Sequence, residues 1–276
     1  MMPSSRLLLS LSLLAFAACS SKVTTTIDQE AQNKIDTARN CVPPQLAKLD
    51  ELMTFVDLWR LNGTEDPPDP SGLSWTENGS GVIDYTINAG SFTIAGSIAF
   101  YSPTGVPYDA TLTPAPGGSL SQAIDDAATE MRGAFATGRP FMVGSWTISG
   151  TGVSGSGAFT GLIAGATNGN ELEELRTTTT TVTTGPPDVA DASITTTGSE
   201  VCVFTFRLPG LLTDQTPTQD YPEGTMTFSL ENQTTSTTIA GSLVFDATSE
   251  ARLMVTGFTG YFPVNLDTFT VGTLVP

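Results

Sequence analysis

One seven-residue phrase is written three times along this chain: Ile94-Ala95-Gly96-Ser97-Ile98-Ala99-Phe100, Val153-Ser154-Gly155-Ser156-Gly157-Ala158-Phe159 and Ile239-Ala240-Gly241-Ser242-Leu243-Val244-Phe245. Side chains of an extended strand alternate between its faces. Within each copy the β-branched residue, the first glycine and the phenylalanine therefore point one way, and the Ala and Ser positions point the other. A helix would scatter those positions around its circumference, so the phrase confines the chain to two-faced strands. Residues 91–100 and 236–245 agree at seven of ten positions without a gap, which reads as an internal duplication. The middle copy matches the first only at Gly155, Ser156, Ala158 and Phe159. A glycine on the apolar face of a strand either bends the sheet or lets a helix approach its backbone closely.

The same period of two runs through 82–88, 108–113, 141–149, 199–208, 224–232 and 252–257, with another strand at 267–275. Residues 172–184 contain the tract Thr177 to Thr184, polar on both faces, and read either as a long solvated strand or as a Thr-rich linker. Three segments carry helical spacing instead. The first runs from Ile27 to Cys41 behind a Thr26/Gln29 capping box, and Pro43 and Pro44 interrupt it. A second covers 45–61, and a third covers 119–137 between Ser119 and Gly138. With 27 Gly, 18 Pro and only 14% charged residues, many short strands joined by turns are favoured over a helical bundle. The expected fold is mainly β (α+β): a strongly curved antiparallel sheet or partial barrel of about ten to twelve strands, with helices packed on it. In order, the chain divides into residues 1–18, 19–26, an N-terminal helical part at 27–63 and a β domain at 64–276 with the inserted helix 119–137.

The first residues have a separate logic. Arg6 precedes an apolar run from Leu7 to Phe16, too short to span a bilayer, and a small-residue stretch ends at Cys19. This is a secretory signal over 1–18. The string Phe16-Ala17-Ala18-Cys19 resembles the lipobox of bacterial lipoproteins, which implies acylation of Cys19 and a lipidated tether over 19–26. Ser20 and Ser21 stand where an Asp would imply retention at the inner membrane in that family. The resemblance therefore points to the outer membrane of a Gram-negative cell envelope. A transmembrane barrel, which also alternates, is disfavoured by the three amphipathic helices and the acids within several strands.

Charge is divided unevenly. From residue 49 onward there are six Arg, no Lys and 25 acidic residues, whereas residues 19–48 are close to neutral. An acidic body is repelled by anionic headgroups and offers no basic cluster for phosphate, so nucleic acid is not an expected partner. With Cys19 assigned to lipid, Cys41 and Cys202 remain. Cys41 continues the apolar stripe of the first helix, and Cys202 shares a strand face with Phe204 and Phe206. A disulfide between helix and strand is expected, with two buried thiols as the alternative.

Catalytic chemistry finds little to build on. There is no histidine, which removes Ser/His/Asp and Cys/His arrangements and the usual zinc sites. Gly150, Gly152 and Gly155 spell Gly-x-Gly-x-x-Gly, but the residues that follow form a poor helix, so hairpin glycines are the expectation. The acids Asp66, Asp69, Asp125, Asp126, Glu130, Glu171, Glu173 and Glu174 could in principle supply an acid pair. A solvated face or loop is the simpler reading of each. Trp75, Trp146, Tyr101, Tyr221 and Tyr261 could form a platform, with packing as the simpler reading. No catalytic residue, cofactor or metal is assigned. The expectation is a non-enzymatic, membrane-anchored binding or carrier module, with Ile94, Phe100, Val153, Phe159, Ile239 and Phe245 facing an apolar ligand. The alternatives are a structural or interaction protein of the envelope with a protein partner and, remotely, a carboxylate-dependent glycan hydrolase.

Overall fold

A computed structural model of the chain describes residues 28–55, 72–78, 80–110, 120–163, 172–212 and 221–276. Helix α1 (Gln29–Phe55) opens on Asp28, whose Oδ1 accepts the Glu30 amide at 3.1 Å and whose carbonyl accepts the Gln32 amide at 2.9 Å. Asp28 therefore caps the helix; Thr26 of the expected capping box lies outside the described residues. The two helices expected on either side of Pro43 and Pro44 are one continuous helix. Its buried stripe, Ile35, Ala38, Cys41, Val42, Leu46, Leu49 and Leu52, keeps helical phase straight across both prolines. An interior proline costs about 3 kcal/mol. Two of them cost roughly 6 kcal/mol, and burying Ile35, Val42, Leu46, Leu49 and Leu52, at about 1.5–3 kcal/mol each, outweighs that loss.

Every strand pairing is antiparallel. The first strands are β1 (Leu73–Glu77), β2 (Ile83–Asn88), β3 (Phe92–Tyr101) and β4 (Pro107–Tyr108), followed by helix α2 (Leu120–Ala134). Then come β5 (Phe141–Gly150), β6 (Val153–Ile163), β7 (Leu172–Thr177), β8 (Ala192–Thr197), β9 (Val201–Arg207) and β10 (Leu211–Leu212). The last are β11 (Glu223–Asn232), β12 (Thr237–Asp246), β13 (Glu250–Val255), β14 (Phe262–Asn265) and β15 (Thr270–Val271). All fifteen belong to one sheet, ordered β1-β2-β3-β5-β6-β7-β10-β11-β12-β13-β14-β15. The mainly β class is thus observed, with β1, β8, β10 and β14 added to the expected strands. The expected strand at 108–113 is reduced among the described residues to β4.

Midway the sheet forks. The first half of β6 pairs with β8 and its second half with β7, and β11 receives β9 and β10 in the same way. Threonines close the fork. Thr160 and Thr178 share a 3.0 Å hydroxyl hydrogen bond; Thr177 Oγ1 donates to the Ala190 carbonyl at 2.7 Å and accepts the Leu208 amide at 2.9 Å. These three threonines are buried, so the Thr-rich tract is not the long solvated strand anticipated over 172–184. It stops being a ladder after Thr177, forms a single bridge from Thr178 to Val189, and turns back across the sheet. There Val182 packs with Tyr101 against Phe141, Val143 and Leu162, a small apolar cluster separate from the main core.

The main core lies on the other face of the sheet and includes side chains from both helices. Helix α1 packs on β8, β11, β12 and β15. Residues of α2, among them Ile124, Ala128 and Met131, are buried in the same cluster, and Tyr108 of β4 sets its ring edge-on to Phe135.

Candidate functional site

The strand registers define rows running across the sheet. One core-facing row is Ile87-Ile94-Ile148-Gly155-Ile194-Phe204-Leu230-Ile239. It brings Ile94 and Ile239, from the outer copies of the phrase, onto one line. The middle copy enters that line at Gly155, two residues out of step. In the outer hairpins the phrase glycine pairs with an aromatic residue, Gly96 with Tyr85 and Gly241 with Phe228; in the middle hairpin Gly157, not Gly155, pairs with Trp146.

Phe100, Val153, Phe159 and Phe245 stand on neighbouring rows of the same face. All six candidate ligand-facing residues are at most 6% exposed and belong to the one core that both helices enter. The structure therefore places the six in one apolar cluster, which also contains side chains of α1 and α2.

The opposite face has a different character. Its central row reads Ser74-Thr86-Ala95-Thr147-Ser156-Ser193-Thr205-Ser229-Ala240, nine strands of small, mostly hydroxylated side chains, each exposed or half-exposed. A second row runs Asn88-Thr93-Ser149-Ser154-Thr195-Val203-Glu231-Thr238. Several hydroxyls are engaged locally: Ser97 with Ser145 at 3.0 Å, and Thr147 donating to the Ala95 carbonyl at 3.2 Å. Near the β1 edge a cleft of about 300 Å³ is lined by Ser74, Trp75, Thr76, Asp84, Tyr85, Thr86, Ala95 and Gly96.

Cys41 and Cys202 are joined in a disulfide, with Cα atoms 5.8 Å apart, that ties α1 to β9. Around it lies a polar cluster that the sequence reading missed. Glu200 receives Asn40 Nδ2 on one oxygen at 3.0 Å and Asn232 Nδ2 on the other at 2.7 Å, and its Oε2 lies 3.5 Å from Cys41 Sγ. Gln45, fully buried, donates to the Cys202 carbonyl at 2.8 Å and to Thr196 Oγ1 at 2.9 Å. The available signal was parity: Glu200 is two residues before Cys202 and so shares its strand face.

Of the acids set aside as possible catalysts, the three whose side chains are described, Asp126, Glu130 and Glu174, have separate surroundings. Glu174 is bound by Arg139 and Arg176, at 3.4 and 2.6 Å. Glu130 accepts the Tyr108 hydroxyl at 2.8 Å; burial, then that carboxylate, hold the Tyr108 hydroxyl above the ordinary tyrosine range. Asp126 is exposed on α2. Asp66, Asp69 and Glu171 lie outside the described residues, as does Cys19, and the side chains of Asp125 and Glu173 are likewise outside that description. The aromatic residues are spread over separate contacts: Trp146 is in the core, Tyr101 stacks on Phe141, Tyr221 donates to Asp267 at 2.6 Å, and Tyr261 lies under Arg252. Trp75 is the one of these five that lines the cleft, together with Tyr85. The Gly-x-Gly-x-x-Gly string occupies the β5–β6 hairpin, where Gly152 takes the positive φ of the turn, and does not open a helix.

Comparison of the chain with protein-family models, with curated proteins and with solved structures finds no match.

Proposed function

We propose that this chain is a non-enzymatic interaction protein of the bacterial cell envelope, anchored at the outer membrane through lipid on Cys19, whose Ser/Thr face docks a protein partner. The observation that carries this reading is the nine-strand row from Ser74 to Ala240: small, hydroxylated and uncovered, on a sheet whose other face is filled. Small side chains let a partner approach the whole breadth of a sheet with little side-chain entropy to lose. The apolar-carrier version has less support, because Ile94, Phe100, Val153, Phe159, Ile239 and Phe245 are buried in a core cluster that includes helix side chains.

The sheet is also proposed to be strongly curved, in the manner of a partial barrel around its helices. The support is at the glycines. A Cβ on Gly96, Gly155 or Gly241 would run into the backbone carbonyl of the neighbouring strand, at Ser145, Ser193 and Met254 respectively. Such close approach marks sharp local coiling of a sheet.

The test compares wild-type protein with Thr147→Lys/Ser229→Lys after chemical crosslinking in intact envelopes. The expected result is one crosslinked species of fixed mass that the double variant loses while its urea midpoint is unchanged. Identical crosslinking by both proteins, or none by either, contradicts the reading. Labelling with radioactive palmitate, lost in Cys19→Ser, tests the anchor separately.

A further inference from the structure

Cys41 Sγ, Cys202 Sγ and a Glu200 carboxylate oxygen lie within 4.8 Å of one another, contributed by α1, by β9 and by the residue just before β9. The carboxylate is oriented from both sides by Asn40 and Asn232, at 3.0 and 2.7 Å. Paired hydrogen bonds of this kind fix the direction of a ligating group and leave a lone pair aimed elsewhere. Here that direction is the sulfur pair: Oε2 stands 3.5 Å from Cys41 Sγ. Gln45, one helical turn beyond Cys41, commits its amide nitrogen to Cys202 and Thr196 and keeps Oε1 buried with no donor. The cluster thus gathers two sulfurs and a held carboxylate, with Gln45 bonded to the backbone of one of the two cysteines. Two thiolates beside a carboxylate repel one another unless a cation lies between them.

We propose that this cluster is a redox-gated site for a thiophilic divalent cation of the zinc class, closed in the disulfide form and opened when the bond is reduced. A dithiol reductant transfers two electrons and two protons to the Cys41–Cys202 bond and itself becomes a disulfide. The cation then displaces the two thiol protons, forming two metal–sulfur bonds, and Glu200 supplies an oxygen as the third ligand. Metal–sulfur and metal–oxygen bonds of about 2.3 and 2.0 Å give a tetrahedral sulfur–oxygen edge of about 3.5 Å. Glu200 Oε2 stands 3.5 Å from Cys41 Sγ in the disulfide form, which puts the carboxylate within reach of a cation held by the two sulfurs. The sulfur–sulfur edge becomes about 3.8 Å by the same geometry. With the Cα atoms 5.8 Å apart, rotation of the two cysteine side chains can supply it. The inference does not rest on the surface reading above.

Cobalt(II) serves as the probe, added to the full chain before and after reduction with a phosphine, which does not compete for the metal. The expected result is uptake of one ion per reduced chain, with a thiolate-to-cobalt charge-transfer band that zinc abolishes, and no uptake by the oxidised chain. Glu200→Gln should weaken binding by about ten- to a hundred-fold, and Asn40→Ala, which frees one carboxylate oxygen, by a smaller factor. Circular dichroism is followed in parallel, so that a reduced chain that has lost its fold is expected to regain it with the ion. Any of three results overturns the proposal: no charge-transfer band in the reduced chain, equal affinity in Glu200→Gln, or a reduced, unfolded chain that the ion fails to refold.

Discussion

Gly144 has no side chain because Phe159 occupies the space: a Cβ there would run into the ring of Phe159 on the adjacent strand. Gly144→Ala is therefore expected to lower stability by about 1–3 kcal/mol, as overpacking does. In the double variant Gly144→Ala/Phe159→Leu the loss should be smaller than the sum of the two single losses, read from urea unfolding. The buried threonines at the fork behave differently. Thr178→Val leaves the Thr160 hydroxyl without its partner and should cost about 1–2 kcal/mol, whereas Thr160→Val/Thr178→Val removes both groups and should cost less than twice that. Tyr85 carries a pH dependence. Burial pushes its hydroxyl far above the ordinary tyrosine range, and it donates to the Ser145 carbonyl at 3.3 Å. An unfolded tyrosine gives up its proton near pH 10, while the folded one keeps it. The contribution is complete below that pH and is lost as pH rises beyond it. Urea midpoints should fall between pH 9 and 11 in the wild type and fall less steeply in Tyr85→Phe.

Among the elements, α1 shows best what was and was not legible. Its apolar positions were visible as two stripes, over 27–41 and 45–61; that they share one phase across Pro43 and Pro44 is seen in the structure. The prolines nevertheless read as a break, because local backbone preference is plain in a sequence and the tertiary burial that overrides it is not. The hairpins β2–β3, β5–β6 and β11–β12 were legible for the opposite reason: period two and turn glycines are local signals. The middle phrase was misaligned because a slip of two residues keeps every side chain on its face, so sequence similarity cannot detect it. β8 alternates only over Ala192-Ser193-Ile194-Thr195 before running into Thr196 and Thr197, too short a pattern to stand out, and the Thr tract gave no hint that Thr177 would be buried at a fork. Of the candidate site, the cysteine pair was foreseen and Glu200 was not, since its partners Asn40 and Asn232 come from distant elements. The disulfide closes a separation of 161 residues, for which loop-closure entropy gives about 5 kcal/mol. Cys41→Ser/Cys202→Ser should lower unfolding stability by about 2–5 kcal/mol in the same assay, because it loses the staple between α1 and β9.

The whole molecule has two unlike faces. One is a core in which residues of every copy of the phrase share one apolar cluster with side chains of both helices; the other carries a mostly hydroxylated row nine strands wide, beside the small cluster around Phe141. On the proposed anchoring, the acidic body, with 25 acids from residue 49 onward, would be repelled by anionic headgroups while lipid on Cys19 held the chain near them. Such an arrangement fits the proposed role, in which the chain presents a surface to a protein partner rather than opening its core. A photoactivatable crosslinking residue placed singly at Thr147, Thr205 or Val106 in envelope-bound protein tests that claim most directly. Thr147 and Thr205 lie on the central hydroxyl row, and Val106, 60% exposed, lies outside it and serves as the control. The account predicts the same discrete adduct from Thr147 and Thr205 and none from Val106. Adducts of equal yield from all three positions, or no adduct from the hydroxyl face, would contradict it.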